Sequence, residues 1–216
     1  MKHPPKPYKP PAEDQLKTLF IDDWLVVCDK PSGLLSVPGL GPEKAVCASS
    51  MMSARHGEVF VVHRLDMDTS GVMVFARTKD AQRTLSRAFE LRQVTKSYEA
   101  LIEGQPDADQ GTVNAAIAKH SLSRPLRHLD PAGREAITHW QVIARAPSHA
   151  RVALHPETGR SHQLRLHMAS LGHPILGDVF YGDESTHDRL CLHARTIAFS
   201  HPQSGTKVSF EAAPAF

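Results

Sequence analysis

Residues 63–71 read HRLDMDTSG, which puts a histidine, an arginine and an aspartate within four positions, at the end of the apolar run VFVVHRLD and ahead of a Gly-terminated turn. A carboxylate beside a guanidinium at a strand end can be kept ionised and aimed by a rigid scaffold. Spacing alone leaves a plainer use open for Asp66, since aspartate followed by Thr, Ser and Gly also builds turns through Asx and ST hydrogen bonds. Two-carboxylate chemistries fit poorly. D-T-S-G from Asp68 is similar to an aspartic-protease signature, but that chemistry needs a second carboxylate from a matching lobe, and no second such motif occurs. Glycoside hydrolysis likewise wants two opposed carboxylates, and the sequence names no convincing partner.

Metal chemistry fits no better. The chain has 14 histidines but no H-E-x-x-H, and three cysteines, Cys28, Cys47 and Cys191, with no C-x-x-C spacing. An odd number of scattered cysteines argues against a disulfide framework, and they read as reduced, half-buried filler. No metal and no cofactor are expected.

The elements that must position Asp66 can be read from periodicity. TLFIDDWLVVCDKPSG reads as two short strands around an Asp-Asp turn, and AVCASSMMSAR fits a helix. VFVVHRLD and GVMVFART read as strands joined by MDTS, which puts the carboxylate at strand ends. KDAQRTLSRAFELRQ has apolar residues at 81, 85, 88 and 89, an amphipathic helix with Arg83 and Arg87 outside. VTKSYEALIEG, EAITHWQVIARA and ARVALHP alternate as strands, the last two forming a hairpin through Pro-Ser. RSHQLRLHMASLG reads as a helix with Leu164, Met168 and Leu171 on one side, stopping at Gly172. RLCLHARTIAFSHP and KVSFEA are further strands. Many strands and few helices, not in strict alternation, predict an α+β fold: a mixed, largely antiparallel sheet with a few flanking helices.

At 216 residues and 41% apolar content the chain suits one main domain. Residues 1–18 form a basic, proline-rich arm, and 19–216 the domain. No early apolar run supports a secretory signal or membrane span, so a cytoplasmic protein is expected, without membrane partners. Net charge is only +2, yet Lys and Arg cluster in three places: the arm, residues 77–96, and residues 119–134. Each alone is more often a solvated face; three in one near-neutral chain point to a nucleic-acid surface, because phosphate neutralisation is local.

Three motifs then resemble a known family. HRLDMDTSG (63–71), KSYEA (96–100) and TGRSHQLRLHMASLGHPILGD (158–178) are similar, in that order, to the three motifs of the RluA-type pseudouridine synthases, and DKPSGLLSVPG and LCLHA also fit. The resemblance runs from about residue 19 to the C-terminus. It implies that Asp66 is the catalytic carboxylate, Tyr98 the aromatic against the target base, and Arg165 the buried partner of Asp66. Arg64 matches the position that enters the space vacated by a flipped base, Arg160 and His162 face the RNA backbone, and Leu192 is an apolar wall of the pocket.

The implied reaction cleaves the uridine N1–C1′ bond, turns the uracil and rejoins it through C5, with no redox change and no energy input. Uracil leaves as an N1 anion delocalised over two carbonyls, so it needs less acid assistance than a sugar alkoxide, and one carboxylate suffices. A guanidinium at Arg165 would oppose the desolvation that otherwise raises the pKa of Asp66. With only a short stretch before the first strand, the S4 RNA-binding domain of many relatives is not expected. That architecture is similar to members that modify both a large-subunit ribosomal RNA loop and a tRNA anticodon stem-loop, so RNA rather than DNA is the expected partner, bound by a monomer. The alternatives are a catalytically silent RNA-binding domain of the same fold and a hydrolase that pairs Asp66 with Asp68.

Overall fold

The expected strand pair near the N-terminus folds as β1 (Lys17–Ile21) and β2 (Leu25–Lys30), with the Asp22 carboxylate accepting the Trp24 and Leu25 N–H groups at 2.7 Å to close the turn. The computed structural model describes residues 7–120 and 126–216. Helix α1 (Ala48–His56) follows, then β3 (Phe60–Val61), β4 (Ser70–Ala76) and α2 (Lys79–Glu90). The Thr78 hydroxyl caps α2 by accepting from Ala81 N, and its buried stripe is Ala81 and Leu85, with Arg83 and Arg87 exposed. Next come β5 (Thr95–Glu103), β6 (Gln110–Asn114), β7 (Ile117–Lys119), β8 (Arg127–Leu129), β9 (Ile137–Arg145) and β10 (His149–Pro156). Helix α3 (Gln163–Ser170), β11 (Leu192–Ser200) and β12 (Lys207–Glu211) complete the described chain.

Ten of these strands form one sheet in the order β1-β2-β4-β11-β5-β10-β9-β6, with β12 on β11 and β3 on β4. Among the described residues only β4 and β11 pair in parallel. The fold is the expected α+β type, a mixed and largely antiparallel sheet with three α-helices among the described residues. Strands β2 and β4 are buried on both faces, which is why LVVC and VMVFA read as continuous apolar runs. Leu25, Val27, Val72 and Val74 pack with Leu85 of α2, while Val26, Cys28, Met73 and Phe75 pack with Met52 of α1. A third cluster joins Val152 and Leu154 to Leu164 and Met168 of α3, and Tyr98 touches two of the three clusters.

Several expectations are amended. The strand expected over VFVVHRLD is only two residues long, because the His63 imidazole, not backbone, accepts the Val74 N–H (3.0 Å), and the chain leaves the sheet there. Leu171 is exposed rather than packed with Leu164 and Met168. The three cysteines are free and fully buried, not half-buried. Strands β6, β7 and β8 had no clear periodicity. From the arm, Tyr8 donates to Val46 O (2.9 Å) and Leu16 is buried in the core, while Lys2 and Lys6 lie outside the described residues, as does Arg124 of the third basic stretch. Among the described residues, no helix is long and apolar enough to cross a membrane.

Candidate active site

Asp66 sits on the loop between β3 and β4, and the PSG loop after β2 grips that loop from below. Gly33 N donates to Met67 O (3.0 Å), the Ser32 hydroxyl to Asp68 O (2.7 Å), and Ser36 both donates to Leu65 O (2.7 Å) and accepts from Leu65 N (3.0 Å). Beneath them Lys30, fully buried, donates to the carbonyls of Pro31 (3.0 Å), Leu34 (2.7 Å) and Met67 (2.9 Å). Burial pushes the Lys30 pKa down to about 7, and the nearby charges of Asp68 and Asp66 oppose that. Three carbonyl acceptors call for the ammonium form, since a neutral amine has only two protons to offer. Gly71 ends the motif at φ +113°, where a Cβ would stand 2.3 Å from Ala194 O. Only glycine lets β4 come this close to β11.

Arg165 enters from α3 and is 2% exposed. Its guanidinium makes a two-pronged ion pair with Asp178, Nε to Oδ2 at 2.7 Å and Nη2 to Oδ1 at 2.6 Å, and its remaining nitrogen, Nη1, stands 3.7 Å from Asp66 Oδ2. Burial lowers the pKa of this arginine, but the Asp178 bond and the charges of Asp178, Asp66 and Asp68 overcome it, so its pKa is raised. Asp178 is held low, against its own burial, by Arg165 and by the N–H groups of Phe180 (2.8 Å) and Tyr181 (3.1 Å). Arg165 therefore serves two carboxylates: Asp178 fixes it in place, and Asp66 receives its free corner.

The residues expected from the sequence meet around one cavity of about 680 Å³, the size of a small-ligand site. Asp66, Tyr98 and Arg165 line it, with Leu192 as a buried wall. Tyr98, on β5, has its phenol pKa raised by burial and by the charge of Asp66, so it stays protonated. Arg64 is exposed at the mouth. Arg160 is half-buried, with Nε donating to Glu135 O (2.9 Å). His162 also lines the cavity, but its ring turns inward: it is 9% exposed, stacks on Phe180 at 5.5 Å and meets the Tyr181 hydroxyl at 2.8 Å. It forms wall rather than outer surface. Asp68 does not line the cavity, so it is not opposed to Asp66 as a second acid would be. Among the described residues no group of three metal-ligating side chains gathers.

Sequence reasoning assigned no role to Lys30, His63, Asp178 or the polar residues under α3. Gln163 accepts from the Thr158 hydroxyl (2.8 Å) and Arg160 N (3.0 Å) and donates to Ile137 O (2.9 Å), while His167 bridges Thr138 (2.9 Å) and Ala115 O (3.0 Å). These bonds tie the start of α3 to β9 and so aim Arg165. The available signal for Asp178 was a lone carboxylate in the apolar stretch HPILGD, which an arginine must neutralise if both are buried.

Comparison with known proteins identifies the family. Residues 24–170 match the model of the RNA pseudouridylate synthase family. The chain is 46% identical to the dual-specificity RNA pseudouridine synthase RluA of Pasteurella multocida, over 97% of this chain and 98% of that one, and 42% identical to the protein of the same name from Escherichia coli K12, over 95% and 96%. Among solved structures, human RNA pseudouridylate synthase domain containing 1 superposes with a TM-score of 0.81 at 26% identity, over 96% of this chain and 87% of that one. The family match spans the loop of Asp66, the strand of Tyr98 and the helix of Arg165, and the chain accordingly belongs to the RNA pseudouridylate synthase family, an isomerase that converts uridine to pseudouridine in RNA.

Proposed function

We propose that residues 19–216 act as the catalytic domain of a cytoplasmic, monomeric enzyme. It isomerises uridines in stem-loops of large-subunit ribosomal RNA, of the tRNA anticodon arm, or of both, with Asp66 as the catalytic carboxylate. The observation that carries this reading is the placement of Asp66 within 3.7 Å of an arginine that Asp178 immobilises, on the wall of a cavity shared with Tyr98. The dual-specificity name of full-length relatives supports the two RNA classes.

On this reading each group has a task. A base inside a helix cannot be turned over, so the target nucleotide is everted into the cavity, which favours loops whose bases are already loosely stacked. Arg64, exposed at the mouth, fills the vacancy. Inside, Leu192 and the Tyr98 ring pack against uracil, and the protonated phenol relays the proton that leaves C5. Asp66 works on the glycosidic bond, and Arg165 orients it. Arg160 sits at the phosphate side of the mouth, and His162 supports the wall. No cofactor is needed.

Release of tritium from RNA labelled at uridine C5 tests the reading. Asp66→Asn is expected to lower release by at least about a thousandfold while RNA binding stays within a few fold. If Asp68→Asn inactivates instead and Asp66→Asn does not, the assignment fails. Mapping pseudouridine in ribosomal and transfer RNA from cells lacking this gene product identifies the sites; an unaltered map in both classes refutes the proposed substrates.

A further inference from the structure

We propose that Lys96 is a phosphate anchor inside the reaction cavity, its ammonium receiving a phosphate that flanks the everted uridine. The proposal rests on the reading of the cavity as the seat of that nucleotide. Lys96 lies two residues before Tyr98 on β5, so the two side chains leave the same face of the strand, and both line the cavity.

The two partly or fully buried lysines of this site differ in one respect. The Lys30 ammonium has three carbonyl acceptors, whereas the ammonium of Lys96, half-buried, makes no hydrogen bond or ion pair with any described residue. Burial lowers its pKa with no opposing group beside it. A desolvated cation without a partner costs free energy in the empty protein, and an arriving anion offsets that cost.

The surroundings narrow the kind of anion. A Cβ on Gly159 would lie 3.9 Å from Lys96 Nζ, so the ammonium stands beside the Gly159–Arg160 turn with no side chain between. Arg160 has its pKa lowered first by burial and then by the positive charges of Arg134 and Arg92, against the opposing charge of Glu135, and all three arginines line the same cavity. Lys96 thus shares one cavity wall region with Gly159 and one cavity with these arginines. Uracil is neutral as it enters, and the anions a nucleotide brings with it are its flanking phosphates.

The test uses a stem-loop RNA that the wild type converts, with Lys96→Met and Lys96→Arg. The dissociation constant is measured across a KCl series, together with the single-turnover rate at saturating RNA and the Tm. Expected for Lys96→Met are binding weakened roughly tenfold, a log K against log salt slope smaller in magnitude by about 0.7, a saturated rate within about threefold, and a Tm equal to or above wild type. Lys96→Arg should bind like the wild type. An unchanged affinity and slope in Lys96→Met overturns the anchor, and so does a loss confined to the saturated rate, which would mean the cation acts on the base. A Tm fall large enough to account for the weaker binding overturns it as well. A wild type that releases no C5 tritium from any RNA defeats the reading of the cavity itself, a result separate from all of these.

Discussion

Asp178→Asn should damage both stability and activity, although residue 178 need not touch the substrate. In the wild type the carboxylate takes two guanidinium N–H groups of Arg165 and two backbone N–H groups, from Phe180 and Tyr181. An asparagine keeps one acceptor oxygen and replaces the other with an NH2, so at least one pair of donors must face each other. The substitution also removes the charge that neutralises an arginine only 2% exposed. Breaking a buried pair by deleting one partner costs about 3–5 kcal/mol. Asp66, 3.7 Å away, remains as partial compensation, so the lower end, about 3 kcal/mol, applies. For a chain of this size that is a Tm drop of about 6–12 °C.

Urea titration followed by far-UV circular dichroism, with calorimetry for Tm, measures the loss. Activity should fall by about ten- to a hundredfold, because an unpinned guanidinium turns toward Asp66 and misplaces it. The double variant Arg165→Met/Asp178→Asn separates the causes. With no uncompensated charge left inside, it should regain part of the stability lost in Asp178→Asn, while activity stays low. An Asp178→Asn protein within about 1 kcal/mol of wild type would refute the reasoning, as would a double variant no more stable than the single one.

Gly71→Ala should cost about 3 kcal/mol or more, or prevent soluble expression, because its Cβ would collide with the backbone of Ala194 at a φ of +113°; wild-type stability by chemical denaturation would contradict this. Lys30→Met should orphan the Pro31 and Leu34 carbonyls, destabilise by about 1 kcal/mol or more for each, and raise hydrogen exchange at Gly33 N, which is then the one donor left, among the described residues, to Met67 O in the loop of Asp66; unchanged exchange there counts against the bracing role. Burial lowers the pKa of His63, to about 3, and also those of His162, His167 and His193. These rings are neutral in the folded state while the unfolded chain takes up protons below about pH 6.5, so the unfolded state binds more protons and stability must fall as pH drops. Tm should decline from about pH 7 toward pH 5, more gently in His63→Gln, whose amide oxygen can accept the Val74 N–H; a Tm that is flat from pH 7 to 5 refutes the assignment.

What was legible in the sequence divides along physical lines. Strands β2 and β4, helix α2 and the β9–β10 hairpin announce themselves because periodicity and burial agree over many residues. Strand β3 was overestimated because VFVV looks apolar throughout, while the decisive event is one imidazole taking the place of a ladder carbonyl. Strands β7 and β8 have three residues each, too few for any period to register. At the site, Asp66, Tyr98 and Arg165 were legible because they sit in dense motifs. Lys30 and Asp178 were not, since a buried charge is defined by partners distant in sequence: Met67 lies 37 positions from Lys30, and Asp178 lies 13 from Arg165.

The same division explains how a chain of net charge +2 can hold a polyanion over a carboxylate. The depth of the site carries three acids, Asp66, Asp68 and Asp178, against two internal cations, Lys30 and Arg165, and this group alone would repel RNA. Around it the bias is opposite: Arg64, Arg92, Lys96, Arg134 and Arg160 all line the cavity against Glu90 and Glu157, of which Glu157 pairs with His139, while Glu135 pairs with Arg92. Phosphates can then be satisfied at the rim while the neutral ring of uracil alone descends to Asp66. Attraction and chemistry are separated by depth, so a change at the rim should alter affinity and its salt dependence, and a change at the floor should alter rate.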